Sequence, residues 1–458
     1  APTRHTATCR LTGIGLHYRH RDACRGERSK LSECGGLAPT PPPYGAGAAS
    51  HGSPTAIDAV SATTIARRKN GSQVAMLSGG TQRPHSPSGI LDPVPLFARA
   101  TRRARARAAL PGLFALAPAP DGYLPTLRNP CWKGHYRERD GKGPAVEASE
   151  SLLCLPGFYI IGHVKAGTSD LWQFISKHSS VNPGRVLKEQ HYFSRPWISA
   201  HQYVSRYRRF ANAIGGGNVT DLESIAGDAT PDLIWANLRQ LNVPFRKVNI
   251  TIAEVLAEVH PKARLVLTLR EPGARLWSDF FYFAHRPNSE RDYAIPHPDT
   301  NVTAADFDGW ARVAVRAMAD CVRRRGTKAC TYALRDHRRM HASTVRFAMG
   351  CYGPFVEEYL AHFKRSQLLV VTLEEYKARP QETLQAIFSH LGVRQPDDWK
   401  FILGRRKVTN QQGGHYKTLR MLETTRRALD AAYSPCIKHL DQVLGTGTRF
   451  YQLWGRTA

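Results

Sequence analysis

The stretch IIGHVKAGTSDL, residues 160–171, decides the fold. It closes the apolar run FYIIG (158–162), turns through a glycine-containing loop, and opens a helical pattern with Leu171, Trp172 and Ile175 on one side. A buried strand that ends in glycine and hands over to a helix aims backbone N–H groups and a helix N-terminus at a phosphate. The nucleotide-binding pattern G-x-x-x-x-G-K-[ST] aligns with Gly162, Gly167 and Ser169, but Thr168 stands where it demands lysine. The lysine lies inside the loop, at Lys165. Without lysine at position 168 the β/γ-phosphate grip of an ATPase is missing, and no apolar strand ends in an aspartate suited to hold Mg²⁺. The expected cradle is therefore Lys165, Ala166, Gly167, Thr168 and Ser169. Thr168 and Ser169 add hydroxyls, and Lys165 is placed to neutralise charge at the bond being broken.

Working outward, RLVLTLR (264–270) and QLLVVTLEEY (367–376) read as further buried strands, with helical stretches such as FDGWARVAVRAMADCV and PFVEEYLAHF between them. Alternation of strands and helices predicts an α/β fold, a mostly parallel sheet flanked by helices, resembling P-loop NTPases. In LVLTLREPGARLWSDFFYF (265–283) a strand ends at Arg270, Pro272 starts a helix, and Ser278 follows the arginine by eight residues. An arginine fork at a strand end grips phosphate oxygens bidentately, so Arg270 and Ser278 read as a clamp for a second phosphate. Arg275 in the same helix reads either as a surface charge or as a phosphate contact. Two phosphate sites about a hundred residues apart in sequence suggest a nucleotide phosphorylated at both its 5′ and 3′ positions, the shape of 3′-phosphoadenosine 5′-phosphosulfate.

The 458 residues carry a formal net charge of +27, split as +11 over residues 1–128 and +16 over the remainder. Such a balance favours acidic partners: nucleic acid, anionic lipid or a sulfated polysaccharide. Residues 1–128 are expected to be a disordered stem or tail, because APTPPPYGAGAASHGSP (38–54) and GGTQRPHSPSG (79–89) are Pro/Gly/Ser-rich and aperiodic. The basic-then-apolar run TRRARARAALPGLFALA (101–117) has the shape of a targeting signal but is internal and broken by Pro111 and Gly112. Residues 129–458 are expected to form the folded domain. No membrane-spanning run of 18 or more apolar residues is visible. Of nine cysteines, Cys131 with Cys154 and Cys321 with Cys330 lie at loop-closing distance, and Cys351 and Cys436 have no assigned partner. Together with N-x-[ST] sequons at Asn70, Asn218, Asn249 and Asn301, they point to an oxidising, secretory-pathway location.

These motifs together resemble the sulfotransferases, and within them the Golgi carbohydrate branch that acts on chondroitin and dermatan sulfate. IIGHVKAGTSDL is similar to that family's 5′-phosphosulfate loop and LREPGARLWSDF to its 3′-phosphate motif. VLKEQHYFSR (186–195) is similar to the segment carrying the acceptor-activating glutamate. CWKGHYRERDGKGPAVEASESLLCLPGFYIIG, GDATPDLIWAN (227–237) and CVRRRGTKACTY (321–332) extend the likeness over residues 129–458. The sequence departs from the family at Ala166, Ser169 and Gln190, and the late loop GRRKVTNQQGGHYKT (404–418) matches poorly.

The resemblance implies transfer of a sulfuryl group from 3′-phosphoadenosine 5′-phosphosulfate, without a metal, to a glycosaminoglycan hydroxyl, most specifically O-6 of N-acetylgalactosamine 4-sulfate. It implies Glu189 as the base, tuned by Lys188 and His191, and Lys165 at the departing oxygen. It also implies a Golgi-lumenal, type II membrane arrangement with an anchor preceding Ala1. The rival readings are a P-loop kinase, a heparan-type enzyme, a sulfotransferase that binds nucleotide without transferring, and a non-catalytic basic protein binding glycosaminoglycan or nucleic acid. Thr168 speaks against the kinase, and no nucleic-acid-binding motif is present.

Overall fold

A computed structural model describes residues 96–136, 149–182, 187–194, 198–215, 223–236, 250–284, 302–332, 346–404 and 418–455. The Pro/Gly/Ser-rich runs, the asparagines of all four sequons and residues 405–417 of the late loop lie outside the described residues. An antiparallel hairpin, β1 (Cys131–Tyr136) with β2 (Ser149–Cys154), precedes the main sheet. That sheet has the spatial order β4-β3-β5-β6, formed by β3 (Phe158–Gly162), β4 (Gly227–Asp228), β5 (Arg264–Leu269) and β6 (Leu368–Thr372). All three pairings are parallel. Parallel strands put their carboxyl ends on one edge, which is where ligands enter such sheets. Gly162, Asp228, Leu269 and Thr372 mark that edge.

The apolar runs are continuous because both faces of the sheet are covered. Tyr159, Ile161, Leu265, Leu267 and Leu269 pack into one core, while Phe158, Ile160 and Val266 pack into the other with Leu171, Phe174 and Ile175 of α3 (Thr168–Ile175). The side-chain period of two thus distributes one uninterrupted run between two cores. Each such side chain contributes roughly 1.5–3 kcal/mol on burial. The expected strand 367–376 is shorter than its apolar run suggests. Thr372 ends it by forming a capping box: its hydroxyl accepts from the Glu375 N–H at 3.1 Å, and the Glu375 carboxylate accepts from the Thr372 N–H at 3.3 Å. The T-x-x-E signature starts a helix, Leu373–Ala378, inside what read as strand.

Folded structure also begins before Asn129. Helices α1 (Leu96–Ala109) and α2 (Pro111–Leu116) belong to the same compact unit, Ser88–Ala458, as the sheet. Ala106, Ala109, Leu110 and Leu113 are buried in the larger core. Arg102 and Arg105 of α1 pair with Glu258 and Glu254 of α6 (Ile252–Val259), each at 2.5 Å. The run that resembled a targeting signal folds as the end of α1 followed by α2, and two of its four arginines, Arg102 and Arg105, have carboxylate partners within the fold. The expected boundary at 128/129 is therefore too late by at least the length of these helices.

Among the described residues, three disulfides brace the chain. Cys131–Cys154 and Cys321–Cys330 are the two pairs expected, and Cys351–Cys436 joins the pair left unassigned. Cys321 lies in α8 (Ala304–Arg325), and Cys436 lies in the helix Glu423–Leu444. Among the described residues, no helix is long and apolar enough to cross a membrane.

Candidate active site

The loop after β3 is shaped by its glycines. Gly167 has φ +88°, and a side chain there would also meet Leu373 Cδ1 at 2.7 Å. A Cβ on Gly162 would fall 2.5 Å from Ile234. Between them Lys165 takes φ +64°, a left-handed conformation that costs a non-glycine residue energy. The N-cap residue of α3 is Gly167, which has no side chain to cap it, and among the described residues no other side chain does so; its first-turn N–H groups can receive an anion, with Thr168 buried and Ser169 half-buried beside them.

The second phosphate motif meets this loop directly. Arg270, one residue past β5, donates from Nη1 to the Lys165 carbonyl at 3.2 Å. Its own carbonyl accepts from the Tyr352 hydroxyl at 2.8 Å. Burial pulls the guanidinium pKa below its usual value, against the opposing fields of Glu374, Tyr352 and Glu271. Among the described residues no carboxylate reaches ion-pair distance of Arg270. A desolvated cation without a paired anion suits a phosphate. The Lys165 ammonium sits 3.8 Å from the ring centroid of Tyr282, in α7 (Pro272–Ala284). Ser278 lies one turn before Tyr282 on the same helix face.

Arg275 is neither a surface charge nor available to a phosphate. It is fully buried, pairs with Asp279 at 3.3 Å and donates to the Arg346 carbonyl at 3.0 Å. Asp279 also pairs with Arg346. This buried network ties α7 to the segment that follows residue 345.

The proposed acceptor end is built from two separate segments. Glu189 is flanked by Lys188, which pairs with one carboxylate oxygen, and by His191, whose Nε2 lies 3.0 Å from the other. Burial pushes the Glu189 pKa up, but the hydrogen bond from His191 and the charge and hydrogen bond of Lys188 outweigh it and hold it at about 2. The carboxylate is therefore ionised throughout the neutral range. Residues 228–234 carry this segment to the sheet edge. The Ala229 N–H donates to the Lys188 carbonyl at 2.8 Å, and the Ile234 N–H donates to the Ile161 carbonyl at 2.7 Å. Thr230 Oγ1 accepts from the N–H groups of Gln190 (3.0 Å) and His191 (3.1 Å). Asp232 Oδ2 lies 3.5 Å from His191 Nδ1. Sequence reasoning quoted GDATPD only as likeness and gave Asp228, Thr230 and Asp232 no role. Tyr282 was missed as well.

Comparison with known proteins follows this geometry. No protein-family model matches the chain. Mouse carbohydrate sulfotransferase 15 is 23% identical over an alignment of 382 residues, covering 71% of this chain and 65% of that protein. The human protein of the same name is 22% identical over the same span. In sequence the chain is similar to the carbohydrate sulfotransferases. It spans about two thirds (65%) of the length of these curated relatives. A human bifunctional heparan sulfate N-deacetylase/N-sulfotransferase 3 is 21% identical over 60% of this chain and 26% of its own length. Among solved structures, a sulfotransferase from Alicyclobacillus acidocaldarius superposes with a TM-score of 0.40 at 19% identity, covering 64% of this chain and 96% of that one. The fold assignment rests on the sheet order and strand–loop–helix geometry described above rather than on this superposition.

Proposed function

We propose that the chain is a carbohydrate sulfotransferase that uses 3′-phosphoadenosine 5′-phosphosulfate as donor, with an acidic glycosaminoglycan as acceptor. The observation that carries this reading is the hydrogen bond from Arg270 to the Lys165 carbonyl, which brings the two phosphate motifs together at one sheet edge. Lys165, Ala166, Gly167, Thr168 and Ser169 hold the 5′-phosphosulfate, and Arg270 with Ser278 holds the 3′-phosphate. The acceptor hydroxyl oxygen forms a bond to sulfur while the bond from sulfur to the 5′-phosphate oxygen breaks. Adenosine 3′,5′-bisphosphate leaves, and the hydroxyl proton passes to Glu189. Lys165 neutralises charge on the departing oxygen.

A carboxylate held near pKa 2 is in the right protonation state but is a weak base. An acidic sugar resolves this conflict by drawing the Lys188 ammonium away and covering the partly exposed carboxylate, both of which raise its basicity. The finer assignment is O-6 of N-acetylgalactosamine 4-sulfate in chondroitin or dermatan sulfate, and what supports it is the motif resemblance set out in the sequence analysis. Full length, the protein then resides in the Golgi lumen. A heparan-type acceptor is the second reading, supported by the heparan relative. The test is transfer from sulfur-35-labelled donor to a panel of defined glycosaminoglycans, followed by disaccharide mapping. Label on 4-sulfated N-acetylgalactosamine is expected. Label only on heparan disaccharides overturns the acceptor, and absence of transfer to any acceptor overturns the enzyme.

A further inference from the structure

The segment 228–230 holds a polar hub, centred on the Thr230 hydroxyl, that the chemistry above does not use. Thr230 is fully buried, and its hydroxyl has one proton to give and two lone pairs to receive. It gives the proton to Asp228 Oδ1 at 2.5 Å and receives the N–H groups of Gln190 at 3.0 Å and His191 at 3.1 Å. Asp228, itself fully buried, is oriented by the Thr230 N–H at 3.0 Å and by the Tyr203 hydroxyl at 3.4 Å. The segment that the hub grips is strained. His191 has φ +56°, a conformation that persists in a non-glycine residue only when its surroundings enforce it. Its imidazole reaches back to Glu189 Oε2 at 3.0 Å, a contact set by that backbone turn.

We infer that Thr230, oriented by Asp228, is a positioning residue that locks the left-handed turn at His191 and so aims the Glu189 carboxylate. The inference rests on the transfer reading above. Two backbone donors converging on one side-chain oxygen do what neither sequence neighbour of Glu189 can do. They fix the two peptide units that flank Gln190, immediately ahead of the turn, to the end of β4, and hence to the sheet edge. Misplacing a reacting group by about 1 Å costs on the order of 10²-fold in rate. Loss of the hub should therefore appear in turnover and not in donor affinity.

The experiment compares Thr230→Val, which keeps the shape and removes the hydroxyl, with Thr230→Ser, which keeps the hydroxyl. Turnover, donor KM and the NMR resonances of the His191 ring, assigned by their loss in His191→Gln, are measured together. Thr230→Val should lower kcat by about 10²-fold with donor KM within about twofold, and shift the His191 resonances. Thr230→Ser should restore both. Equal losses in the two variants, a parallel rise in donor KM, or unmoved His191 resonances would overturn the inference. Should Thr230→Val not fold, Asp228→Asn weakens the orientation of the same hydroxyl and is read identically. If wild-type protein transfers no sulfate, the transfer reading fails, while the His191 resonances still decide whether Thr230 sets the turn.

Discussion

The two ends of the proposed site sit on one sheet edge but are made differently. The nucleotide end is nearly contiguous: a strand, five loop residues and a helix, joined by one hydrogen bond to Arg270, just past the neighbouring strand β5. The acceptor end is composite. Glu189 and His191 take their geometry from Thr230, some forty residues on, through hydrogen bonds to backbone rather than to each other's side chains alone. A contiguous site is tuned by its own loop, whereas a composite one can be disabled from a segment that touches no substrate.

The comparison is tested most severely at Glu189. Glu189→Gln keeps the size and removes the base, so turnover should fall ~10²–10⁴-fold, while calorimetric affinity for adenosine 3′,5′-bisphosphate stays within about twofold. An equal loss of nucleotide affinity would mean that the two ends are not separable. The frame holding both ends gives the next largest effect. In the chain-entropy treatment, removing Cys351–Cys436, which spans 85 residues, costs about 4.6 kcal/mol, against about 2.6 kcal/mol for Cys321–Cys330 with a span of 9. Denaturant unfolding of the paired Cys→Ser variants checks the order, and a reversed order would show that loop length is not what governs these bridges.

At the nucleotide end, Arg270→Ala should weaken adenosine 3′,5′-bisphosphate at least tenfold, through loss of a charge-assisted contact of roughly 1.5–3 kcal/mol. Adenosine 5′-phosphosulfate, which lacks the 3′-phosphate, should bind unchanged. Equal losses for both nucleotides would remove Arg270 from the 3′-phosphate.

The smallest effect lies at Asp228. Burial raises its pKa to about 6, against the hydrogen bonds from Thr230 and the His191 charge. A folded value above the unfolded one means that the neutral form is the better accommodated. Its contribution to stability therefore falls as pH rises, by about 1 kcal/mol between pH 5 and pH 7. Thermal unfolding of Asp228→Asn, compared with wild type across that interval, should lack this slope.

What the sequence disclosed follows the same division. The continuous apolar runs FYIIG and RLVLTLR, the Gly162–Gly167 spacing and the arginine just past a strand are short-range signals, and both runs form buried strands as expected. Arg275 misled because helical position alone does not tell which face turns inward, and its partner Arg346 lies 71 residues away. Thr230 was invisible for a similar reason. A threonine followed by proline reads as a turn, and only the fold brings the two N–H groups to its hydroxyl. The stretch 96–128 was misread because arginines count as solvated until their carboxylates are known.

Those arginines bear on how the protein is handled at the bench. Every residue of α6 is buried, including Glu254 and Glu258, so it is a helix with no wet side. Its covering is supplied in part by α1. Expression started at Asn129 would strip that covering and leave two glutamates facing an uncovered apolar seam. Such a product should be recovered largely as aggregate, whereas one started upstream of Leu96 should stay in solution. The chain ahead of the hairpin is thus part of the smallest piece that can be purified.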